Sequence, residues 1–264
     1  MTESLESGFR QVRRTKEPRG QVGFDVSLAK HRETVRSSEM FKNLKEHLEP
    51  HSKDIRRVRC LAIGSFHEEF AALYQLALLL ETCDHLKPSE GEPIRVSVYD
   101  PVFTTSDQDF IKNLGPDWSV DEETPWEPSE ARYVLFFLPH APLDLTERVV
   151  TLDRPHLWLA NHIVKHTDRY TKLQLFDKYP VLSKLLNSLV NAQESVPDSE
   201  FKPFVSRKNR RKNKTRIQEQ VVDYSAIPTH FSKCKILTDF NNGKTLADQP
   251  WINSFSDLTL HLIE

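Results

Sequence analysis

The segment Arg132-Tyr133-Val134-Leu135-Phe136-Phe137-Leu138 is the most strand-like stretch of the chain, and Pro139-His140 ends it. Its apolar residues follow one another without the alternation of a half-exposed strand. Such a run is typical of a strand that lies inside a parallel sheet and is buried on both faces. Similar apolar runs occur at residues 58–63, 94–99 and 156–160.

Helical patterns lie next to these apolar runs, at residues 70–80, 106–114, 144–151 and 170–190. Strands that alternate with helices indicate βαβ units. Two closing strands are predicted at residues 234–237 and 258–262, and the alternating leucines of the second are typical of a half-exposed edge strand. The sequence therefore predicts an α/β fold with a three-layer Rossmann-like sheet, mostly parallel, and helices on both faces.

The composition of the chain divides it into two parts. Residues 1–53 contain a basic arm and, from Leu28 to Leu48, an amphipathic surface helix with apolar residues at loosely helical spacing. Residues 54–264 form the α/β domain. A basic insertion interrupts this domain at about residues 191–220, and we expect it to be disordered.

Glycine is scarce in the chain, and its scarcity excludes several function classes. With 7 glycines in 264 residues, the sequence has no GxGxxG motif, no P-loop and no GxSxG nucleophile elbow. The three cysteines are too few for a disulfide framework and lack the spacing of zinc ligands. No apolar run has the length of a membrane helix, so we expect no membrane partner.

Polar or turn residues follow four of the predicted strands, and parallel strands bring their carboxyl ends to one edge. They are Gly64-Ser65-Phe66, Asp100-Pro101, Pro139-His140 and Asn161-His162. Glycine allows a ligand to approach the backbone, Ser65 and a helix N-terminus can donate to an anion, and an acid in the position of Asp100 can accept from ribose hydroxyls. The alternative is structural, since one glycine makes a tight turn and an aspartate before proline caps one.

The histidines give weak signals for chemistry. His140 has the titration range of a general acid or base, but no nucleophile or carboxylate lies at a recognisable spacing from it. His162 and His166 are four residues apart, as in metal-binding pairs, yet no third ligand is visible. No catalytic signature is found, so enzyme activity stays undecided and a regulatory protein is favoured.

A basic tract lies within the insertion, and seven of its ten residues are Lys or Arg, with no acid among them. Such a tract fits a nuclear-import signal, an electrostatic contact with nucleic acid or an acidic protein, or a solvated loop. Because the rest of the chain is acidic, we expect no nucleic-acid binding outside the tract. The basic residues are Arg207, Lys208, Arg210, Arg211, Lys212, Lys214 and Arg216.

Five segments together resemble the SRR-like (sensitivity to red light reduced) family, in the order in which that family carries its motifs. The similarity covers residues 58–261, and Ala62, Ala141 and Ala160 depart from the Gly, Cys and Gly of the family pattern. The five segments are Val58–Leu80, Val98–Phe103, Leu138–His140, Ala160-Asn161 and Phe255–His261.

This resemblance implies a regulatory protein located in cytoplasm and nucleus. Members of the family are linked to circadian-clock regulation and light signalling, to haem biosynthesis in animals, and to microtubule-related processes in yeast. We expect protein partners that the sequence does not name, and no cofactor is indicated. The alternative hypothesis is a Rossmann-like enzyme or sensor that binds S-adenosylmethionine or a nucleotide at the carboxyl edge of the strands.

Overall fold

A computed structural model describes residues 23–88, 91–194, 222–251 and 253–264. Within these residues a single sheet runs through the molecule in the order β3-β2-β1-β4-β5-β7-β6. Strands β1 to β5 pair in parallel, and β7 is antiparallel to both of its neighbours. The strands are β1 Arg57–Leu61, β2 Arg95–Tyr99, β3 Trp118–Val120, β4 Val134–Leu138, β5 Leu157–Asn161, β6 Cys234–Thr238 and β7 Leu258–Ile263.

Helices lie on both faces of this sheet, because successive side chains of each buried strand point to opposite faces and both faces are apolar. The predicted α/β class and the mostly parallel sheet are therefore confirmed. The helices are α1 Phe24–Arg36, α2 Glu39–Leu48, α3 Phe70–Leu86, α4 Thr105–Asn113, α5 Leu143–Leu152, α6 Ile163–Thr167, α7 Lys172–Lys178 and α8 Pro180–Glu194.

The buried side chains form two clusters, one on each face of the sheet. In β4, Leu135 and Phe137 belong to the cluster that packs against α1 to α4, whereas Phe136 and Leu138 belong to the cluster that packs against α5 to α8. Helices α1 and α2 contribute buried apolar residues to the first cluster, so they pack on the same core as the sheet.

Helix α1 is held to α3 by charge as well as by apolar contact. Arg32 Nε donates to Glu81 Oε1 at 2.6 Å, and Arg36 Nε donates to Glu81 Oε2 at 2.8 Å. The Glu81 side chain is only 4% exposed, so its carboxylate depends on these two guanidinium groups for its hydrogen bonds.

Three predicted elements need correction. The single helix expected from Leu28 to Leu48 is two helices. Helix α1 ends at Arg36, and the Ser38 side chain caps the start of α2 by accepting a hydrogen bond from the backbone N–H of Phe41. Strand β3 has no counterpart among the strands predicted from the sequence.

The third correction concerns β7, which was predicted as a half-exposed edge strand but lies inside the sheet. All six of its residues are buried, because β5 and β6 pair with it on its two sides. Thr259 and His261 are the polar residues that alternate with the leucines in the sequence, yet they are only 1% and 0% exposed. The ring of His261 packs against Trp158, with centroids 4.9 Å apart. The edge strand on this side is β6.

The connection from β3 to β4, residues 121–133, contains a 3₁₀ helix at Pro128–Tyr133 but no α-helix. A crossover between parallel strands usually carries an α-helix that covers the sheet. Here the loop at residues 122–128 lies where such a helix would pack, and a cavity remains between this loop and α5.

Candidate functional site

A cavity with a volume of about 1030 Å³ opens where β1, β2 and β4 end. The chain order reverses between β1 and β4, since β2 and β3 lie on one side of β1 and β4 and β5 on the other. In open α/β sheets ligands bind in the crevice at such a switch point. The volume is at the upper end of the range for pockets that hold small organic ligands.

Several of the residues predicted from the strand ends line this cavity together. Gly64 contributes from the end of β1, Asp100 and Pro101 from the end of β2, and His140 from the end of β4. His140 is exposed at the rim, and Pro101 is also exposed, whereas Asp100 is 8% exposed. The predicted convergence of three strand ends is present in the structure, and whether a ligand binds there remains a prediction.

Asp100 connects the loop after β1 to the end of β2. Its Oδ2 accepts a hydrogen bond of 2.8 Å from the backbone N–H of Gly64, and its Oδ1 accepts one of 3.0 Å from the N–H of Val102. Gly64 has a φ of +76°, and a Cβ at this position would lie 3.2 Å from the Cβ of Ala72. Glycine is therefore required here both by its backbone conformation and by the close approach of α3.

Ala62, two residues before Gly64, also has a left-handed backbone, with a φ of 56°. A non-glycine residue in this region costs about 1–2 kcal/mol. Because Ala62 lines the cavity, its Cβ occupies space that the glycine of the family motif leaves open. Backbone strain of this kind is found more often at binding sites than elsewhere.

Ser65 and Phe66 do not line the cavity, so the structure does not place them where a ligand would contact them. Ser65 is 1% exposed and donates to Asp107 Oδ2 at 2.7 Å. The ring of Phe66 packs against Phe103 and Phe110 in the core. The expected donation from Ser65 to an anion therefore gives way to a bond inside the protein.

The Ser65 hydroxyl is unavailable to a ligand because it is bonded to Asp107. This carboxylate is fully buried and also accepts from the His67 backbone N–H at 3.1 Å and from the Thr104 N–H at 2.8 Å. Burial alone would raise its pKa, but the hydrogen bonds from Ser65, His67 and Thr104 outweigh that cost and lower it. The result is a fixed link between the β1–α3 loop and the start of α4.

The N-terminus of α3 does not offer the expected anion site either. The helix starts at Phe70, and its N-cap residue is Glu69. The carboxylate of Glu69 lies close to Gly64, since a Cβ on that glycine would be 3.4 Å from Glu69 Oε2. A negative charge at this position disfavours an anion beside the loop.

Asn161 lies outside the cavity, at the end of β5. Its Nδ2 donates to Asp257 Oδ1 at 3.0 Å, and the neighbouring His162 N–H donates to the Asp257 backbone carbonyl at 2.7 Å. Burial lowers the pKa values of both His162 and His166. This cluster joins β5 to the segment before β7, and no metal-binding group of three ligands is present in the part of the chain that the structure describes.

Arg59 is the residue of the site that the sequence analysis missed. It is 1% exposed, lies in the middle of β1 and lines the cavity. Its Nη1 donates to Ser97 Oγ at 2.6 Å and to the Asp121 carbonyl at 2.8 Å, and its Nη2 donates to the Glu122 carbonyl at 2.9 Å. Burial lowers its pKa. An arginine inside an otherwise apolar predicted strand was the available signal.

The remaining walls of the cavity are apolar or acidic. The apolar part comes from Leu61, Tyr99, Trp126, Leu145 and Val149. The charged residues other than Arg59 and Asp100 lie toward the rim, and most of them are exposed. They are Glu69, Glu122, Glu123, Arg148 and Asp153.

The basic tract, residues 207–216, falls outside the described residues, so its expected role is unaffected by the structure. In the part of the chain that is described, no helix combines the length and hydrophobicity that crossing a bilayer requires.

The sheet order, the helices on both faces and the cavity at the switch point define a Rossmann-like α/β protein with a ligand-sized crevice. Comparison with known families is more specific: the SRR1 domain matches residues 40–262, and the chain belongs to this family. The resemblance inferred from the five motifs is thereby confirmed. Membership supports a regulatory role at the level of the family.

A curated relative is the SRR1-like protein of Drosophila melanogaster, which is 26% identical to this chain. The alignment covers 62% of this chain and 65% of the relative, so the chain spans somewhat less than two thirds of that protein. No solved structure matches the chain significantly.

Proposed function

We propose that this chain is a regulatory protein of the SRR1 family that acts by binding a small organic ligand in the cavity and by binding protein partners. The observation that carries the proposal is the position of the cavity. It lies at the switch point between β1 and β4, where the loop containing Gly64 is held by Asp100.

Binding is favoured over catalysis by the surroundings of His140. In the described part of the chain no hydrogen bond joins this exposed side chain to a carboxylate or a nucleophile, so no catalytic pair is formed around it there. The apolar walls and the few buried polar groups of the cavity are typical of a binding site.

Family membership supports the finer part of the proposal. By analogy with other members, the regulated processes are circadian-clock regulation and haem biosynthesis or, in a fungal host, microtubule-related processes. We also propose that the protein acts in both cytoplasm and nucleus. The composition of the basic tract supports nuclear entry.

S-adenosylmethionine and nucleotides are the two candidate ligand classes. The insertion of an antiparallel strand between β5 and β6 is also typical of Rossmann-like domains that bind S-adenosylmethionine. This likeness is a fold-level analogy, which supports a choice of probes and not an activity.

The test is a thermal-shift screen of methyl donors and nucleotides against three proteins: wild type, Leu152→Trp and Leu173→Trp. Both leucines are exposed, at 56% and 42%, so neither substitution disturbs the core. Leu152 lines the cavity and Leu173 does not. A tryptophan at residue 152 is expected to block the cavity, and one at residue 173 serves as the matched control.

A cavity ligand should raise the melting temperature of wild type and Leu173→Trp but not of Leu152→Trp. At a concentration 100 times its dissociation constant, such a ligand stabilises the folded protein by about 2.7 kcal/mol. Equal shifts in all three proteins, or no shift in wild type, would contradict the proposal.

A further inference from the structure

Two charged residues, Asp100 and Arg59, are buried in the lining of the cavity. Hydrogen bonds within the protein reach both carboxylate oxygens of Asp100 but not every donor of Arg59. Asp100 accepts backbone hydrogen bonds on both carboxylate oxygens. Arg59 makes no ion pair within 4 Å among the described residues, and its three hydrogen bonds go to a serine hydroxyl and two carbonyls. Buried charges in proteins are usually paired.

The guanidinium of Arg59 has donors to spare. An arginine carries five N–H groups, and the three hydrogen bonds of Arg59 leave two of them. Its Nε is buried without a hydrogen-bond partner. A planar guanidinium with free donors is the group that proteins use to bind a carboxylate or a phosphate.

The other charges of the cavity distinguish between these two anions. Five carboxylates and two guanidinium groups line it, an excess of three negative charges with His140 neutral. A phosphate with two negative charges is disfavoured by such a lining, whereas a carboxylate with a single charge can pair with Arg59 and is repelled less by the acidic rim. A positive or hydroxyl group elsewhere on the ligand would also be favoured by this lining.

The register of β1 and β2 gives the backbone separation of Arg59 and Asp100 along the sheet. Leu61 pairs with Tyr99, so Asp100 lies beside Ala62, three residues along β1 from Arg59. Three residues of a parallel strand extend over about 10 Å. The wall between these points is apolar and includes Leu61, Tyr99 and Val149.

From this arrangement we infer that the cavity binds an amphipathic organic carboxylate without phosphate, whose carboxylate pairs with Arg59 while a hydroxyl or cationic group lies near Asp100. This inference rests on the proposed function, because it names the ligand class for the same cavity. An amino acid joined to a flat apolar ring system belongs to this class, and a nucleotide does not.

The experiment is isothermal titration of the full chain with three probes that share adenosine. S-adenosylhomocysteine carries an amino-acid group with a carboxylate and an ammonium, 5′-methylthioadenosine is the thioether without that group, and AMP carries a phosphate. We expect S-adenosylhomocysteine to bind about tenfold or more tighter than methylthioadenosine, as for a charge-assisted hydrogen bond, and AMP to bind most weakly.

Variants of Arg59 assign the preference to this side chain. Arg59→Gln keeps amide donors for the carbonyls but removes the charge, so the affinity ratio of S-adenosylhomocysteine to methylthioadenosine should fall toward one. Arg59→Lys restores the charge and should recover part of the ratio. A purely structural role for Arg59 would change both affinities together.

The outcomes separate this inference from the proposed function. Tightest binding by AMP, equal binding of the two thioethers, or an unchanged ratio in Arg59→Gln overturns the carboxylate assignment, and the cavity proposal stands if Leu152→Trp abolishes that binding. If none of the probes binds, the carboxylate assignment fails; the cavity proposal also fails if the wider screen finds no ligand.

Discussion

The backbone N–H of Gly64 donates a 2.8 Å hydrogen bond to Oδ2 of Asp100, so the residue that ends β2 holds the loop that follows β1. This bond joins two neighbouring strand ends at the mouth of the cavity. Both oxygens of Asp100 are engaged by backbone N–H groups, and each carboxylate oxygen retains a lone pair for a ligand. The structural and the ligand-binding interpretations of Asp100 are therefore compatible.

Replacing Asp100 by alanine should lower the free energy of unfolding by about 1–3 kcal/mol, because the N–H groups of Gly64 and Val102 lose their acceptors. Urea unfolding of wild type and variant measures the difference. Asp109→Ala is the control, since Asp109 is exposed on α4 and its loss should change stability by less than about 0.5 kcal/mol. Equal stability of Asp100→Ala and wild type would show that the bonds contribute nothing.

Ala62→Gly should leave stability unchanged or raise it by up to about 1 kcal/mol, because relief of the left-handed strain at φ 56° offsets the greater chain entropy of glycine. The matched control is Ala77→Gly, which places a glycine in the interior of α3 and should cost about 1 kcal/mol or more. Chemical denaturation distinguishes the two. Destabilisation of the same size in both variants would argue against strain at Ala62.

His261 should make stability depend on pH. Burial lowers its pKa from 6.5 to about 3, so between these values the unfolded chain binds a proton that the folded protein does not. The free energy of unfolding therefore falls as pH decreases below 6.5, with a slope from this group of up to about 1.4 kcal/mol per pH unit.

His261→Phe keeps a ring beside Trp158 and removes this titration. We expect the variant to lose less stability than wild type when urea unfolding is compared at pH 7.5 and at pH 5. His162 adds to the same trend, because burial lowers its pKa also. Identical pH dependence in His261→Phe and wild type would mean that His261 titrates alike in both states.

Glu81→Ala should weaken the docking of α1 on α3. The substitution removes the carboxylate that Arg32 and Arg36 share, and a loss of about 1–3 kcal/mol in unfolding free energy is expected. The control is Glu39→Ala, whose exposed contact of 3.8 Å with Lys42 should contribute less than about 1 kcal/mol. Similar losses for the two variants would place Glu81 among ordinary surface ion pairs.

Replacing all seven basic residues of the tract by glutamine should reduce nuclear accumulation of a fluorescent fusion. The melting temperature of the purified variant serves as a check that the protein still folds. An unchanged ratio of nuclear to cytoplasmic fluorescence would exclude the tract as an import signal. The seven residues are Arg207, Lys208, Arg210, Arg211, Lys212, Lys214 and Arg216.

Local patterns predicted the buried strands well and the polar positions poorly. The apolar run at residues 132–138 contains β4, and the run at residues 58–63 covers all of β1 except its first residue. His261 and Thr259 look like solvent-facing positions in the sequence, yet both are buried, because pairing on both sides of β7 and packing against Trp158 depend on distant segments. Residue type alone does not report such pairing.

The residues of the candidate site were likewise predicted only in part. Gly64, Asp100 and His140 were predicted to converge because parallel strands share one carboxyl edge, and all three line the cavity. Ser65 and Asn161 follow strands in the same way, but Asp107 and Asp257 engage them within the protein. Arg59 was missed because its partners, Ser97 and the carbonyls of residues 121 and 122, are remote in the chain.

From the sequence by itself came the α/β class, the family and the strand ends that meet, since apolar runs, their alternation with helices and short motifs are local properties. The tertiary structure alone decided which polar groups stay available to a ligand. A buried carboxylate or hydroxyl forms hydrogen bonds with whichever polar groups the fold brings close to it, and these groups come from segments far away in sequence. The cavity itself arises from a crossover without an α-helix, a space that becomes visible only when the strands are assembled.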